Sequence, residues 1–126
     1  MIETIKQTSF KSDNRENGSQ VEVPSLKINN DKILVNGYQI FELNQKNNNV
    51  DIKSRHKKIN YILPIFKRIL EKHNCKSFAD IGCNNGLYSF LALNIGYEKI
   101  YSLDHDVDCI KLINEILDYL KKLIDN

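Results

Sequence analysis

The sequence predicts an α/β domain in which a small antiparallel β meander precedes a strand–helix–strand–helix unit with parallel strands. Three observations carry this. Short β-branched runs separated by Asn-rich turns fill roughly residues 25–43. Two apolar runs later in the chain, Phe78-Ala79-Asp80-Ile81 and Ile100-Tyr101-Ser102-Leu103-Asp104, each have the texture of a buried strand. Helical periodicity at three- and four-residue steps separates and flanks those two runs.

The strands of the meander are expected at Leu26-Lys27-Ile28, Ile33-Leu34-Val35 and Tyr38-Gln39-Ile40-Phe41-Glu42-Leu43. Asn29-Asn30-Asp31 and Asn36-Gly37 lie between them, and Asn-Gly between apolar runs is a strong hairpin signal because both residues tolerate positive φ. The meander reads first as a packing or lid element and second as a binding surface for an acceptor. Residues 45–50, with three Asn, read as a loop. Residues 1–20 are polar and aperiodic and are expected to be a mobile tail. The expected division is a tail at 1–20, the meander extension at 21–50 and the α/β part at 51–126.

A helix is expected over 54–73, with Ile59, Ile62, Leu63, Phe66, Ile69 and Leu70 on one face. Pro64 removes one backbone donor there, so a kink or restart is expected. Asn74 suits a left-handed C-terminal cap. Arg55-His56-Lys57-Lys58 reads first as a solvated helix start and second as an anion site. The next helix is expected over 87–94, ended by Gly96. The last covers 107–124, with Ile110, Ile113, Leu117, Leu120 and Ile124 inward and Leu112, Ile116 and Leu123 widening the stripe. Asp106 and Asp108 suit its N-terminus.

Composition narrows the function classes. The chain has 126 residues, 41% hydrophobic and 27% charged, which fits one folded domain. A net charge of +2 gives no strong nucleic-acid signal and no anionic-membrane signal. No apolar run reaches the ~20 residues that cross a bilayer, and residues 1–20 lack a signal-peptide core. Cys75, Cys83 and Cys109 share no CxxC spacing, so neither a disulfide framework nor a metal site is expected. Cys75 and Cys109 read as small apolar fillers. A cytoplasmic location is the expectation.

The stretch with the most chemistry is Phe78-Ala79-Asp80-Ile81-Gly82-Cys83-Asn84-Asn85-Gly86-Leu87, a strand leaving through a Gly-bounded turn into a helix. A dinucleotide fingerprint needs Gly at its first, third and sixth places, but Asn84 and Leu87 fill the third and sixth. No Gly-Lys-Ser/Thr occurs, so a Walker phosphate loop fails as well. Gly82 permits a turn directly off the strand, and Gly86 lets the helix start close beneath a ligand. Asn84 can take the positive φ of a middle glycine. About twenty residues on, Asp104 closes the second strand.

In these residues, and in Tyr101-Ser102-Leu103-Asp104-His105-Asp106, the chain resembles the class I S-adenosylmethionine-dependent methyltransferases. The resemblance covers about residues 55–126 and implies a Rossmann-like methyltransferase fold, apparently truncated after the second parallel strand. It also implies methyl transfer with S-adenosyl-L-methionine as cofactor. Asp80, Gly82, Cys83, Asn84 and Gly86 would cradle the methionine moiety and ribose. Asp104 would accept hydrogen bonds from the ribose hydroxyls, and His105 would lie beside the adenine. Asn84 stands where glycine is commonest in the family. Asp80 and Asp104 have a competing reading as loop-capping carboxylates, and His105 as an exposed loop histidine. Cys83 lacks the His–Asn neighbours of a nucleophile, and no catalytic residue is assigned. The methyl acceptor is unknown, and self-association or a missing C-terminal half is the partner expectation. The alternatives are a non-catalytic methyltransferase-like fragment or interaction module and, ranked third, a nucleotide-dependent oxidoreductase or epimerase domain.

Overall fold

The computed structural model describes residues 2–6, 23–46 and 49–125. In chain order the elements are β1 (Ile2–Lys6), β2 (Ser25–Asn29), β3 (Lys32–Asn36), β4 (Phe41–Lys46), β5 (Asn49–Lys53), α1 (Ile59–His73), β6 (Ser77–Ile81), α2 (Leu87–Ile95), β7 (Lys99–Asp104) and α3 (Val107–Asp125). Two sheets result: an antiparallel one ordered β2-β3-β4-β5 and a parallel one ordered β1-β7-β6. The architecture is therefore α/β, with the expected meander and the expected adjacent parallel pair β6 and β7.

Four differences from the sequence expectation have physical causes. The mobile tail expected at 1–20 is corrected at Ile2–Lys6, which pair in parallel with β7 from Ile2↔Ile100 to Lys6↔Asp104. Three of those five residues (Ile2, Thr4, Ile5) are β-branched and favour a strand. The remainder of that stretch lies outside the described residues. The expected loop at 45–50 is shortened, because β4 runs on to Lys46 and β5 pairs back from Lys46↔Asn49 to Glu42↔Lys53. α1 starts at Ile59, five residues later than expected, because residues 54–58 form the connection from β5, with Ser54 Oγ bonded to the Ile40 carbonyl. The tight hairpin falls at Asn30-Asp31, where Asn30 takes φ 56°. Asn36-Gly37 instead opens a longer connection to Phe41, in which a Cβ at residue 37 would lie 2.6 Å from Asn85 Nδ2. The glycine is there to let that side chain through.

α1 runs continuously through Pro64, so the expected restart does not occur, although the proline lies past the first turn and removes one intrahelical bond. It ends on Asn74 at φ 49°, the expected left-handed cap. Its apolar face is only half covered: Phe66 stacks edge-on against Phe78 at 4.8 Å and Leu70 is partly buried, but Ile69 and Ile65 are exposed. α2 closes on Gly96, whose N–H bonds back to the Ala92 and Leu93 carbonyls.

One core joins the two sheets. Ile33, Val35, Phe41 and Leu43 from one face of the meander pack with Leu87, Phe90 and Ala92 of α2, with Ile100 of β7, and with Ile110, Leu112, Ile113, Ile116 and Leu120 of α3. Phe41 and Phe90 meet at a ring-centroid separation of 6.1 Å. Burial of side chains this size supplies about 1.5–3 kcal/mol each, so the meander is held by the same driving force as the parallel sheet. α3 lies against β1 and β7, leaving β6 at the sheet edge with Ile81 82% exposed.

Candidate functional site

The parallel register sets the site. Ile81 pairs with Leu103, so the turn after β6 and the turn after β7 leave the sheet side by side. Gly82 takes φ 71°, Asn84 54° and Gly86 92°. Three left-handed residues in five fold the segment back on itself. Asn84 thus adopts the conformation expected of a middle glycine.

Every backbone N–H from Gly82 to Leu87 is satisfied within the protein. Gly82 and Cys83 donate to the Leu103 carbonyl at 2.8 and 2.9 Å. Asn84 donates to Asp104 Oδ2 at 2.8 Å, and Asn85 to Asn84 Oδ1 at 3.0 Å. Gly86 donates to the Cys83 carbonyl at 3.0 Å, and Leu87 to Gln39 Oε1 at 3.1 Å. A phosphate cradle needs free N–H groups aimed at the anion. This loop offers none, which agrees with the failed dinucleotide and Walker patterns.

Asp104 is buried and joins the two turns. Its Oδ2 accepts from Asn84 N–H, and its Oδ1 accepts from Asp106 N–H at 2.7 Å. His105 Nδ1 lies 3.4 Å from the same Oδ1, with about half its side chain exposed. An ionised carboxylate has roughly four lone-pair positions. Two are occupied by backbone donors, so the carboxylate is a loop clamp with acceptor capacity left over. Asp106 caps α3 by accepting the Asp108 N–H at 3.0 Å, as expected of that residue.

Asp80 faces the start of α2. Ser89 Oγ donates to its Oδ2 at 2.8 Å, and the Ser89 backbone N–H bonds to it as well. Ser89 Oγ and Ser102 Oγ are 2.5 Å apart. The Ser89 proton goes to Asp80, so Ser102 donates to Ser89. Burial pushes the Asp80 carboxyl above its ordinary value; the two Ser89 hydrogen bonds oppose the rise and the Asp104 charge adds to it. Through its Ser89 bonds Asp80 satisfies a donor at the N-terminus of α2.

The glycines divide between two roles. A Cβ at Gly82 would have no atom within 4 Å, so bare backbone faces open space directly off β6. A Cβ at Gly86 would lie 3.1 Å from Ile113 Cδ1 and Cγ1 and 3.2 Å from Phe90 Cε2. The expectation that Gly86 makes room for a ligand is corrected: it makes room for α3 and for the Phe90 ring. Cys83 is fully buried and its Sγ points at the Asn84 carbonyl, 3.6 Å away. Burial pushes its thiol far up, with Asp80, Asp104 and Cys109 adding, so it stays protonated. Cys109 is a buried filler as expected, but Cys75 is exposed.

No protein-family model, no curated protein and no solved structure matches the chain. Among the described residues no helix is long and apolar enough to cross a membrane.

The structure thus brings together Asp80, Gly82, Asn84, Asp104 and His105 around the ends of two strands, and turns Cys83 and Gly86 inward. It adds Gln39, Asn85, Ser89 and Ser102. Asn85 Nδ2 donates to the Gln39 carbonyl at 2.7 Å, so the β3–β4 connection grips the loop twice. Ser102 had a signal in the sequence, a small polar residue inside an apolar strand. Gln39 had none, being 46 and 48 residues from its partners.

Proposed function

We propose that this chain carries the cofactor-binding part of an S-adenosylmethionine-dependent methyltransferase, with a Rossmann-like sheet. The observation that carries the reading is the meeting of the Asp104 carboxylate with the Gly82–Gly86 turn, at the same ends of two adjacent parallel strands. Ligands of open α/β sheets bind at such ends. The residues present suit this cofactor better than a phosphate-bearing one, for the loop keeps no N–H free while Gly82 leaves space at the strand exit. The remaining Asp104 lone pairs would accept the ribose hydroxyls, with His105 beside the adenine. Asp80, tied to Ser89, would set the position of the strand exit.

When bound, S-adenosylmethionine would supply an electrophilic methyl group on sulfur, so the hard chemistry is the cofactor's. What this chain would contribute is alignment: the Asn84–Asp104 bond fixes the separation of the two turns, and Gln39 and Asn85 fix the loop to the meander. Isothermal titration of the 126-residue chain with S-adenosylmethionine and S-adenosylhomocysteine tests the reading. Saturable binding that disappears in Asp104→Ala and in Gly82→Val supports it. Absence of binding to the folded chain discards it.

A second reading, a non-catalytic interaction module, is favoured by one specific feature. β6 has no partner on its outer edge among the described residues, and Ile81 there and Tyr61 on α1 are 82% and 77% exposed. An open parallel edge with an apolar flank is a template for pairing. Sedimentation velocity over a range of concentrations, with Ile81→Lys as comparison, separates this reading from a monomeric cofactor-binding unit.

A further inference from the structure

The face of the meander turned away from the core carries a cleft of about 830 Å³. Register lays Leu34, Glu42 and Lys53 in one cross-strand row, and these form its floor. Tyr38 and Ile40, from the connection between β3 and β4, form one wall; Arg55 and His56, from the connection between β5 and α1, form the other. Ser54 Oγ donates to the Ile40 carbonyl at 2.8 Å, and His56 N–H donates to Ser54 Oγ at 3.2 Å, so the two walls are tied together.

Two properties of this cleft call for a ligand. Tyr38 and Ile40 are 74% and 61% exposed although both lie in a concavity. Their orientation follows from Gln39 between them, which is anchored inward on Asn85 and Leu87 and so turns its neighbours out. The second property is a surplus of basic groups over acidic ones, since Glu42, opposite Lys53 in the register, is the one acid of the lining. Lys53, Arg55 and His56 make no ion pair among the described residues, while the acid of the cleft, Glu42, is 3.9 Å from Lys32. An apolar wall facing one that carries the Arg55 guanidinium and the donors of His56, in a volume typical of small-molecule sites, is complementary to a molecule with an apolar half and an anionic half.

We propose that this cleft binds a small molecule whose aromatic or aliphatic body carries an anionic group, carboxylate or phosphate. The body lies on Tyr38, Ile40 and Leu34, and the anion meets Arg55, Lys53 and His56. Arg55 suits either anion through its planar fork of donors. The inference does not rest on the cofactor reading, because the cleft shares no residue with the Gly82–Leu87 loop.

Titration of the ¹⁵N-labelled full chain with phenyl phosphate, benzoate, benzyl alcohol and inorganic phosphate tests it by amide chemical-shift changes. Phenyl phosphate or benzoate is expected to shift Tyr38, Ile40 and Arg55 saturably, the tighter of the two naming the anion. Benzyl alcohol and inorganic phosphate, each with half of the complement, are expected to bind about tenfold more weakly. Arg55→Gln and Tyr38→Ala, both at exposed positions, are each expected to weaken the tighter probe by about tenfold while leaving the spectrum dispersed. No saturable shift with either anion, affinity unchanged in both variants, or shifts confined to the Gly82–Leu87 loop would overturn the proposal. S-adenosylhomocysteine added to the same sample reads the other site separately.

Discussion

The backbone N–H of Asn84 and the carboxylate of Asp104 are joined by a 2.8 Å hydrogen bond across 20 residues of sequence. Because Asp104 Oδ1 also accepts from Asp106, the carboxylate is acceptor to two turns at once. Asp104→Asn keeps the shape but presents an amide N–H₂ to one of those two donors. A buried donor then loses its partner, at a cost of about 1–3 kcal/mol. Urea unfolding at neutral pH should show that loss, and the same variant should lose S-adenosylhomocysteine binding. Unchanged stability would mean that the clamp does not form in solution.

Two glycines in the same turn make opposite predictions. Gly82→Ala meets no neighbour and carries only the cost of a left-handed residue, about 1–2 kcal/mol. Gly86→Ala adds overlap with Ile113 and Phe90 to that cost, bringing it to about 2–5 kcal/mol. Denaturation midpoints should therefore fall further for Gly86→Ala, while a cofactor titration should be damaged even where Gly82→Ala remains folded. The reverse order of stabilities would show that the turn packs differently.

The parallel strands, the left-handed Asn84, the Asn74 cap and the apolar stripe of α3 from Ile110 to Leu120 were legible because each is a local pattern; the side chains of Leu123 and Ile124, expected in that stripe, lie outside the described residues. Gly-x-Asn-x-Gly restricts φ within five residues, and a helix shows its buried face in its own spacing. What was not legible depended on partners distant in sequence. Asn36-Gly37 carries the hairpin signal, yet the side chain of Asn85 decides what that glycine is for. β5 is short and follows an Asn run, so the alternation of Val50 and Ile52 does not stand out until its pairing with β4 is seen. Ile2–Lys6 is too short to stand out until the free edge of β7 is there to receive it. The places of Asp80 in β6 and of Asp104 at the end of β7 were legible, but their cap and clamp bonds are visible only in three dimensions.

The Asp80 carboxyl makes stability depend on pH. Burial raises its folded pKa above the ordinary 3.8. In the window between those two values the folded state holds more protons than the unfolded one, so stability falls as pH rises. The contribution is fully present below 3.8 and is lost as pH passes through the raised folded value. Asp80→Asn cannot ionise and escapes that loss, although it gives up one acceptor for Ser89. The urea midpoint of Asp80→Asn relative to the parent protein should therefore climb as pH rises from about 3.5 into the neutral range. A difference that stays flat over that range would show that the carboxyl is not raised.

Gln39 couples the meander to the candidate site through α2. Its Oε1 accepts the Leu87 N–H at 3.1 Å, and no side chain of the helix or of Gly86 caps that end. Gln39→Ala strands a buried donor, with an expected loss of about 1–3 kcal/mol, while the bond from Asn85 to the residue 39 carbonyl survives because it uses backbone. Hydrogen exchange distinguishes this from a general loss of packing. The Leu87 amide should lose protection by more than the global change in stability accounts for, whereas amides in the middle of β7, such as Ile100, should follow the global change alone. Equal losses at both positions would mean that the Gln39 side chain contributes packing but not the cap, and that the loop is held to the meander by Asn85 alone.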